Sequence, residues 1–257
     1  MSASFGTILI VTNRQEQLLD FIIKEYVKTA KPVGSALVAE KAKFDLSPAT
    51  LRSEMFELEK TGYLEQLHTS GGRVPTDKAY RYFVNKIMDG KEEPEPASDE
   101  KKQIKQAINS TDDPHELNKS IARILSHLSD NIVITKILDD SDFFKIGLSS
   151  LFESPEFREM DKVFEVADLF DRFDSLFDRI ESHFFGQLGE EFNIFIGNEN
   201  PFDQIQDETM ILAKYHLPDD LMGSLTMIGP KRMDYERNIA LIKYVTEELN
   251  KLKYGRQ

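Results

Sequence analysis

The residues in this chain best suited to chemistry lie between Ser47 and Arg73, and the chemistry they suit is hydrogen bonding to a large polar partner. Ser47, Ala49, Thr50, Arg52 and Ser53 fall in the N-terminal half of one predicted helix. Arg52 can fork onto the O6 and N7 atoms of guanine, Thr50 and Ser53 can meet base edges or phosphates, and Ala49 can lie against a thymine methyl. His68 and Ser70 follow on a short loop. Arg73, just past Gly71-Gly72, is expected to enter a minor groove or hold a phosphate. Double-stranded DNA is the partner this set predicts. On periodicity alone, the competing reading is a helix that only packs.

The elements that must position these residues are legible around them. Ser47 is a good N-cap and Pro48 suits the first helical position, where its missing N–H costs nothing. Leu51, Met55 and Leu58 recur at i, i+4 and i+7, one apolar stripe. Turned inward, that stripe leaves Ala49, Arg52, Ser53, Phe56 and Lys60 outward, with Thr50 on the flank. Gly62 stops the helix, and a hairpin with a Gly71-Gly72 tip follows. Upstream, Thr12 and Gln15 have capping-box spacing ahead of Leu18, Leu19, Ile22, Tyr26 and Val27. Pro32-Val33-Gly34 breaks the chain, and Ser35 is expected to cap a second helix through Lys41. Three short helices and a hairpin are the layout of a winged helix-turn-helix. A fourth helix from Thr76 or Asp77 buries Tyr80, Phe83, Val84 and Ile87.

Charge is divided unevenly. The net charge is −13, yet residues 1–90 carry +1 and residues 91–257 carry −14. A near-neutral DNA reader on an acidic body is consistent with phosphate binding, because the local potential facing the phosphates decides it. Cysteine is absent, which excludes disulfides and thiolate metal sites and fits a reducing cytoplasm. No apolar run approaches the ~20 residues of a membrane span, and the first residues show no secretory signal. The expected location is the cytoplasm, in association with the nucleoid.

The stretch from residue 91 to 100 has two prolines, an acidic bias and no apolar residue larger than Ala97, so it reads as a linker between domains 1–90 and 101–257. In the second domain, residues 101–110 are predicted helical. Asp113-Pro114 with Glu116 starts another helix, in which Leu117, Ile121, Ile124 and Leu128 form a seam fit for a bundle or a dimer contact. Ile132–Ile134, Phe192–Ile196, Met210–Tyr215 and Met222–Ile228 read as strands, the last two joined at Pro218-Asp219-Asp220. Residues 155–184 are predicted helical, with Val163, Phe170, Phe177 and Phe184 spaced by seven. A closing helix from Asp234 to Leu252 buries Ile239, Ile242, Val245 and Leu249. The class is α+β.

Enzymatic signals are weak. No Gly-rich phosphate loop, His-Glu-x-x-His or Gly-x-Ser-x-Gly occurs, and His68, His115, His127, His183 and His216 are scattered. Asp139-Asp140-Ser141-Asp142 lacks the glycine and later glutamate of an EF-hand and reads as a solvated turn. The expectation is no catalytic residue, no cofactor and no metal.

Several separated motifs resemble one family. Pro32-Val33-Gly34-Ser35, Leu46 to Met55, Gly62 to Lys78, Gly147 to Phe157, Ile196 to Pro201 and Gly223 to Tyr235 stand in the order found in the heat-inducible transcription repressor family (HrcA). The resemblance implies an N-terminal winged helix and a C-terminal GAF-like domain, a small antiparallel sheet with flanking helices. It also implies a homodimer that represses chaperone genes at an inverted-repeat operator, supported by a GroEL-type chaperonin. Three departures stand out. Ser53 replaces the usual Asn and cannot make a bidentate contact to adenine. Phe56 replaces a small residue on the outer face, where two readings stand: it packs under the hairpin, or it touches thymine methyls. Between Asn131 and Gly147 only a short connection stands where the family inserts a further domain, so the GAF-like half is reduced. Two other readings of that half remain: a sensor whose small-molecule ligand controls the DNA reader, and an interaction platform for a chaperonin.

Overall fold

The structure, a computed structural model, describes residues 12–42, 44, 46–67, 71–90, 94–138, 143–149, 163–164, 167–168, 170–173, 192–201 and 205–255. The chain forms two compact units, Met1–Asp89 and Gly90–Gln257.

In the first unit, α1 (Asn13–Thr29), α2 (Ser35–Lys41) and α3 (Pro48–Lys60) precede a two-residue pair of strands, β1 (Leu64–Glu65) and β2 (Val74–Pro75), and then α4 (Asp77–Met88). The capping box at Thr12 is formed on both sides: Gln15 N donates to Thr12 Oγ1 at 3.3 Å and Thr12 N to Gln15 Oε1 at 3.1 Å. Leu18, Leu19, Ile22, Ile23, Val38, Leu51, Met55, Leu58, Tyr80, Phe83 and Val84 make the core. Ile87 is only half-buried. Ser35 is not the cap of α2. Gly34 takes that position, because the first α-type bond runs from Val38 N to Gly34 O, and Ser35 is buried within the first turn.

The end of α3 is held in several ways. Gly62, at φ +77°, donates to Glu59 O while Tyr63 N reaches back to Leu58 O, the paired bonds of a Schellman motif. Thr76 caps α4 and its hydroxyl also donates to Gly62 O at 2.7 Å. Lys78 Nζ donates to Thr61 O at 2.7 Å and lies 4.4 Å from the Tyr63 ring centre. β1 and β2 pair antiparallel, and Arg73 extends the ribbon by exchanging two 2.9 Å backbone bonds with Val33. Gly72 makes that approach feasible: a Cβ there would stand 2.6 Å from the backbone carbons of Pro32 and Val33.

The second unit is α+β. It contains α5 (Ser98–Ile108), α6 (Pro114–Ser129), β3 (Ile132–Ile137), β4 (Phe143–Ile146), β5 (Phe192–Ile196), β6 (Glu208–His216), β7 (Met222–Pro230) and α7 (Tyr235–Gly255). α5 begins inside the stretch read as linker, with Glu100 Oε2 accepting from Ala97 N at 2.8 Å. The strands form one antiparallel sheet in the order β4-β3-β7-β6-β5. β6 and β7 turn at Asp219 and Asp220, both left-handed at φ 61° and 58°, the pair a type I′ turn requires.

Side chains alternate across this sheet. One face carries Thr135, Tyr215 and Thr209 towards the helices: Thr135 Oγ1 donates to Asn118 O, the Tyr215 hydroxyl to Asn118 Oδ1, and Thr209 shares a 2.7 Å bond with Tyr235. Burial pushes the Tyr215 hydroxyl above its ordinary range, so it stays a donor. The other face carries Ile132, Ile134, Met210, Leu212 and Ile228, packed with Phe173 and Ile205 and flanked by Phe143, Val163, Phe170 and Phe195. The hydroxyls of Ser224 and Thr226 on this same face have no hydrogen-bond partner among the described residues.

Two expectations change here. β4 forms a full edge strand where only a short connection was read between Asn131 and Gly147. Leu117, Ile121 and Leu128 are buried within their own unit, along α6 against β3, α5 and α7, so of the two readings of that seam the bundle contact holds and the free dimer surface does not. Asp139–Asp142, Phe177 and Phe184 lie outside the described residues.

Candidate nucleic-acid interface

α3 owes its position to its two ends and its inner stripe. Ser47 Oγ accepts from Thr50 N at 3.2 Å and lies 3.0 Å from Thr50 Oγ1, so the cap and the flank residue form one small polar knot. Leu51, Met55 and Leu58 are buried, as their spacing requires. Ala49, Thr50, Arg52, Ser53, Phe56 and Lys60 are all exposed. A helix N-terminus leaves backbone N–H groups without an intrahelical acceptor, and the macrodipole makes that end attractive to anions.

The electrostatics of α3 are set by three glutamates, each matched to a base or amide. Glu54 lies 3.4 Å from Arg14 and accepts from Gln15 Nε2 at 3.0 Å. Glu57 pairs with Lys60 at 2.9 Å, and Glu59 with Arg73 Nε at 2.8 Å. Arg52 is exposed and pairs with none of the described residues. The outward surface therefore has its negative charges neutralised and one guanidinium left over. Nothing in the linear spacing of Arg14, Gln15 or Arg73 pointed to these pairings.

Arg73 is placed differently from the expectation that it reaches a groove or a phosphate. Its side chain is 11% exposed, its Nε is held by Glu59, and its backbone N and O are both bonded to Val33. It ties the strand pair to the far end of α3 and to the turn before α2. His68 and Ser70 lie outside the described residues. Next to them, Leu67 is exposed and Gln66 Nε2 donates to Gly71 O at 3.1 Å. Desolvation raises the Tyr63 hydroxyl, which stays protonated beneath the Lys78 ammonium.

Among the described residues, no group of three or more His, Cys, Asp or Glu could hold a metal ion, and no helix is long and apolar enough to cross a membrane.

A crystal structure described as that of a hypothetical protein superposes with a TM-score of 0.75 over 94% of this chain and 98% of its own, at 18% identity, which establishes the fold alone. Relatives named heat-inducible transcription repressor HrcA come from Desulforudis audaxviator and Halalkalibacterium halodurans. The first is 27% identical, covering 94% of this chain and 98% of the relative; the second is 25% identical, covering 95% and 98%. The class is that of transcription repressors rather than enzymes. The model of the HrcA protein C-terminal domain matches residues 78–239, and the chain belongs to the HrcA family. The alignment with the Desulforudis audaxviator relative runs over 342 residues against the 257 of this chain, so that relative carries segments that this chain lacks.

Proposed function

We propose that this protein represses the transcription of heat-shock genes by holding an inverted-repeat operator as a homodimer. The first unit acts as a winged helix-turn-helix, with α3 as the recognition helix in the major groove and the β1–β2 ribbon as the wing. Ser47 and the free N–H groups at the start of α3 take a phosphate, Thr50 and Ser53 meet base edges or the backbone, Ala49 rests on a thymine methyl, and Arg52 reads guanine. His68 and Ser70 serve the wing's approach to the duplex. Arg73 supports the wing from behind.

The observation that carries this reading is the outward surface of α3: three glutamates neutralised by their neighbours, and Arg52 presented without a described partner. Pairing these carboxylates lowers the repulsion that α3 would otherwise offer to phosphate. The second unit, a reduced GAF-like domain, supplies the dimer contact and the regulatory surface, with a GroEL-type chaperonin as its partner. The repressor works in the cytoplasm on the nucleoid, without a cofactor.

The test is a mobility shift on the inverted repeat upstream of a chaperone operon. Arg52→Ala should cost about 1–3 kcal/mol and relax preference at one base pair of each half-site. Two-fold symmetry places the half-sites about 34–36 Å apart, or a multiple of that. Equal binding of wild type and Arg52→Ala to every sequence would remove α3 as the reader.

A further inference from the structure

Phe56 is the exposed residue of α3 that neither the core nor the ion pairs explain. Its side chain is 47% exposed, while the core beneath α3 is filled by Leu51, Met55 and Leu58 on the opposite side. At that exposure it is not covered by the described residues of the ribbon. At 100° per residue it lies about 40° around the helix from Arg52 and about 60° from Ser53, one turn further along. Lys60, the next residue on the same line, holds its ammonium 4.5 Å from the centre of the Phe56 ring while bonding to Glu57 at 2.9 Å. The ring is therefore supported on one side by a cation and open on the other. A single exposed apolar residue is ordinary by itself; the place of this one, between Arg52 and Lys60 on the same line of α3, puts it on the face that would meet DNA.

We infer that Phe56 is a base-reading residue that packs on the 5-methyl group of a thymine in the major groove, about two base pairs from the one read by Arg52. This rests on α3 being the recognition helix. Apolar contact with that methyl is the one major-groove interaction open to a phenyl ring, and it distinguishes thymine from the other three bases. The position follows from geometry. Four residues along an α-helix span about 6 Å, and base pairs rise about 3.4 Å, so the thymine lies about two base pairs from the guanine of Arg52. Lys60 fits the same arrangement, because its ammonium, held by Glu57, lies against the ring and steadies it.

The experiment is selection from a random duplex library with the full-length protein as wild type, Phe56→Ala and Arg52→Ala. Phe56 is exposed, so Phe56→Ala should keep the fold, which circular dichroism checks. Wild type should select a thymine about two base pairs from a guanine, Phe56→Ala should keep the guanine and lose the thymine, and Arg52→Ala should do the reverse. In the selected duplex, replacing that thymine by uracil in one half-site removes only the methyl. Wild-type affinity should fall about fourfold, the equivalent of exposing one methylene-sized group. Phe56→Ala should bind both duplexes equally. A consensus unchanged in Phe56→Ala, or a wild type indifferent to uracil while Arg52→Ala still loses the guanine, would overturn the inference and leave the recognition helix standing. Loss of selection in none of the variants would overturn both.

Discussion

Arg73→Ala separates two physically different uses of one arginine. In the structure its Nε donates to Glu59 at 2.8 Å, with the two side chains 11% and 29% exposed. A hydrogen bond to a charged group contributes about 1.5–3 kcal/mol, and Glu59, keeping nearly a third of its surface in water, rehydrates when its partner goes. The expected loss is therefore at the low end, about 1–1.5 kcal/mol, read as a lower urea midpoint for the first unit with unchanged m-value. Operator affinity should also fall, because an unmasked Glu59 carboxylate is left at the end of α3 and repels phosphate. Arg73→Ala combined with Glu59→Gln should then recover most of that affinity. A direct phosphate contact behaves otherwise: the logarithmic salt slope of binding falls by about one, and Glu59→Gln restores nothing. Titrations at three salt concentrations distinguish the two. An unchanged urea midpoint together with a reduced salt slope would refute the supporting role assigned to Arg73.

Gly72→Ala should cost the first unit about 2 kcal/mol, because a methyl 2.6 Å from the Pro32 and Val33 backbone forces apart the two bonds between Val33 and Arg73. Chemical denaturation measures it, and a stability equal to wild type would mean that the ribbon does not need this approach. Thr226→Val should stabilise the second unit by about 1 kcal/mol, since it removes a buried hydroxyl without a described partner and keeps the side chain's shape. Calorimetry showing a lower melting temperature would instead reveal a hydrogen bond made by that hydroxyl.

The parts of this fold that rest on local chemistry were readable in the sequence. Ser47-Pro48 and the Leu51, Met55, Leu58 stripe fix a cap and a face within a few residues, and the structure places all of them accordingly. The same holds for Thr12 with Gln15 and for Asp113-Pro114. What escaped depends on distant partners. Arg73 and Glu59 meet across a helix and a strand, and no linear spacing encodes that pairing. Arg73's bond to Val33 joins residues 40 positions apart, and the fixed geometry of Gly72 is its trace in the sequence. β4 was missed because Phe143-Phe144-Lys145-Ile146 is half-buried on both sides of a sheet edge and shows no alternation. The α6 seam was readable as apolar, but seven-residue spacing does not say whether the partner is another chain or, as found, the same one.

The double duty of Thr76 has a mechanical consequence. One hydroxyl fastens the N-cap of α4 to the carbonyl of Gly62, and the Lys78 ammonium, in the first turn of the same helix, fastens it to Thr61. The two rods share a joint rather than a slack tether. A rotation of the start of α4 away from the end of α3 therefore has to stretch both bonds together.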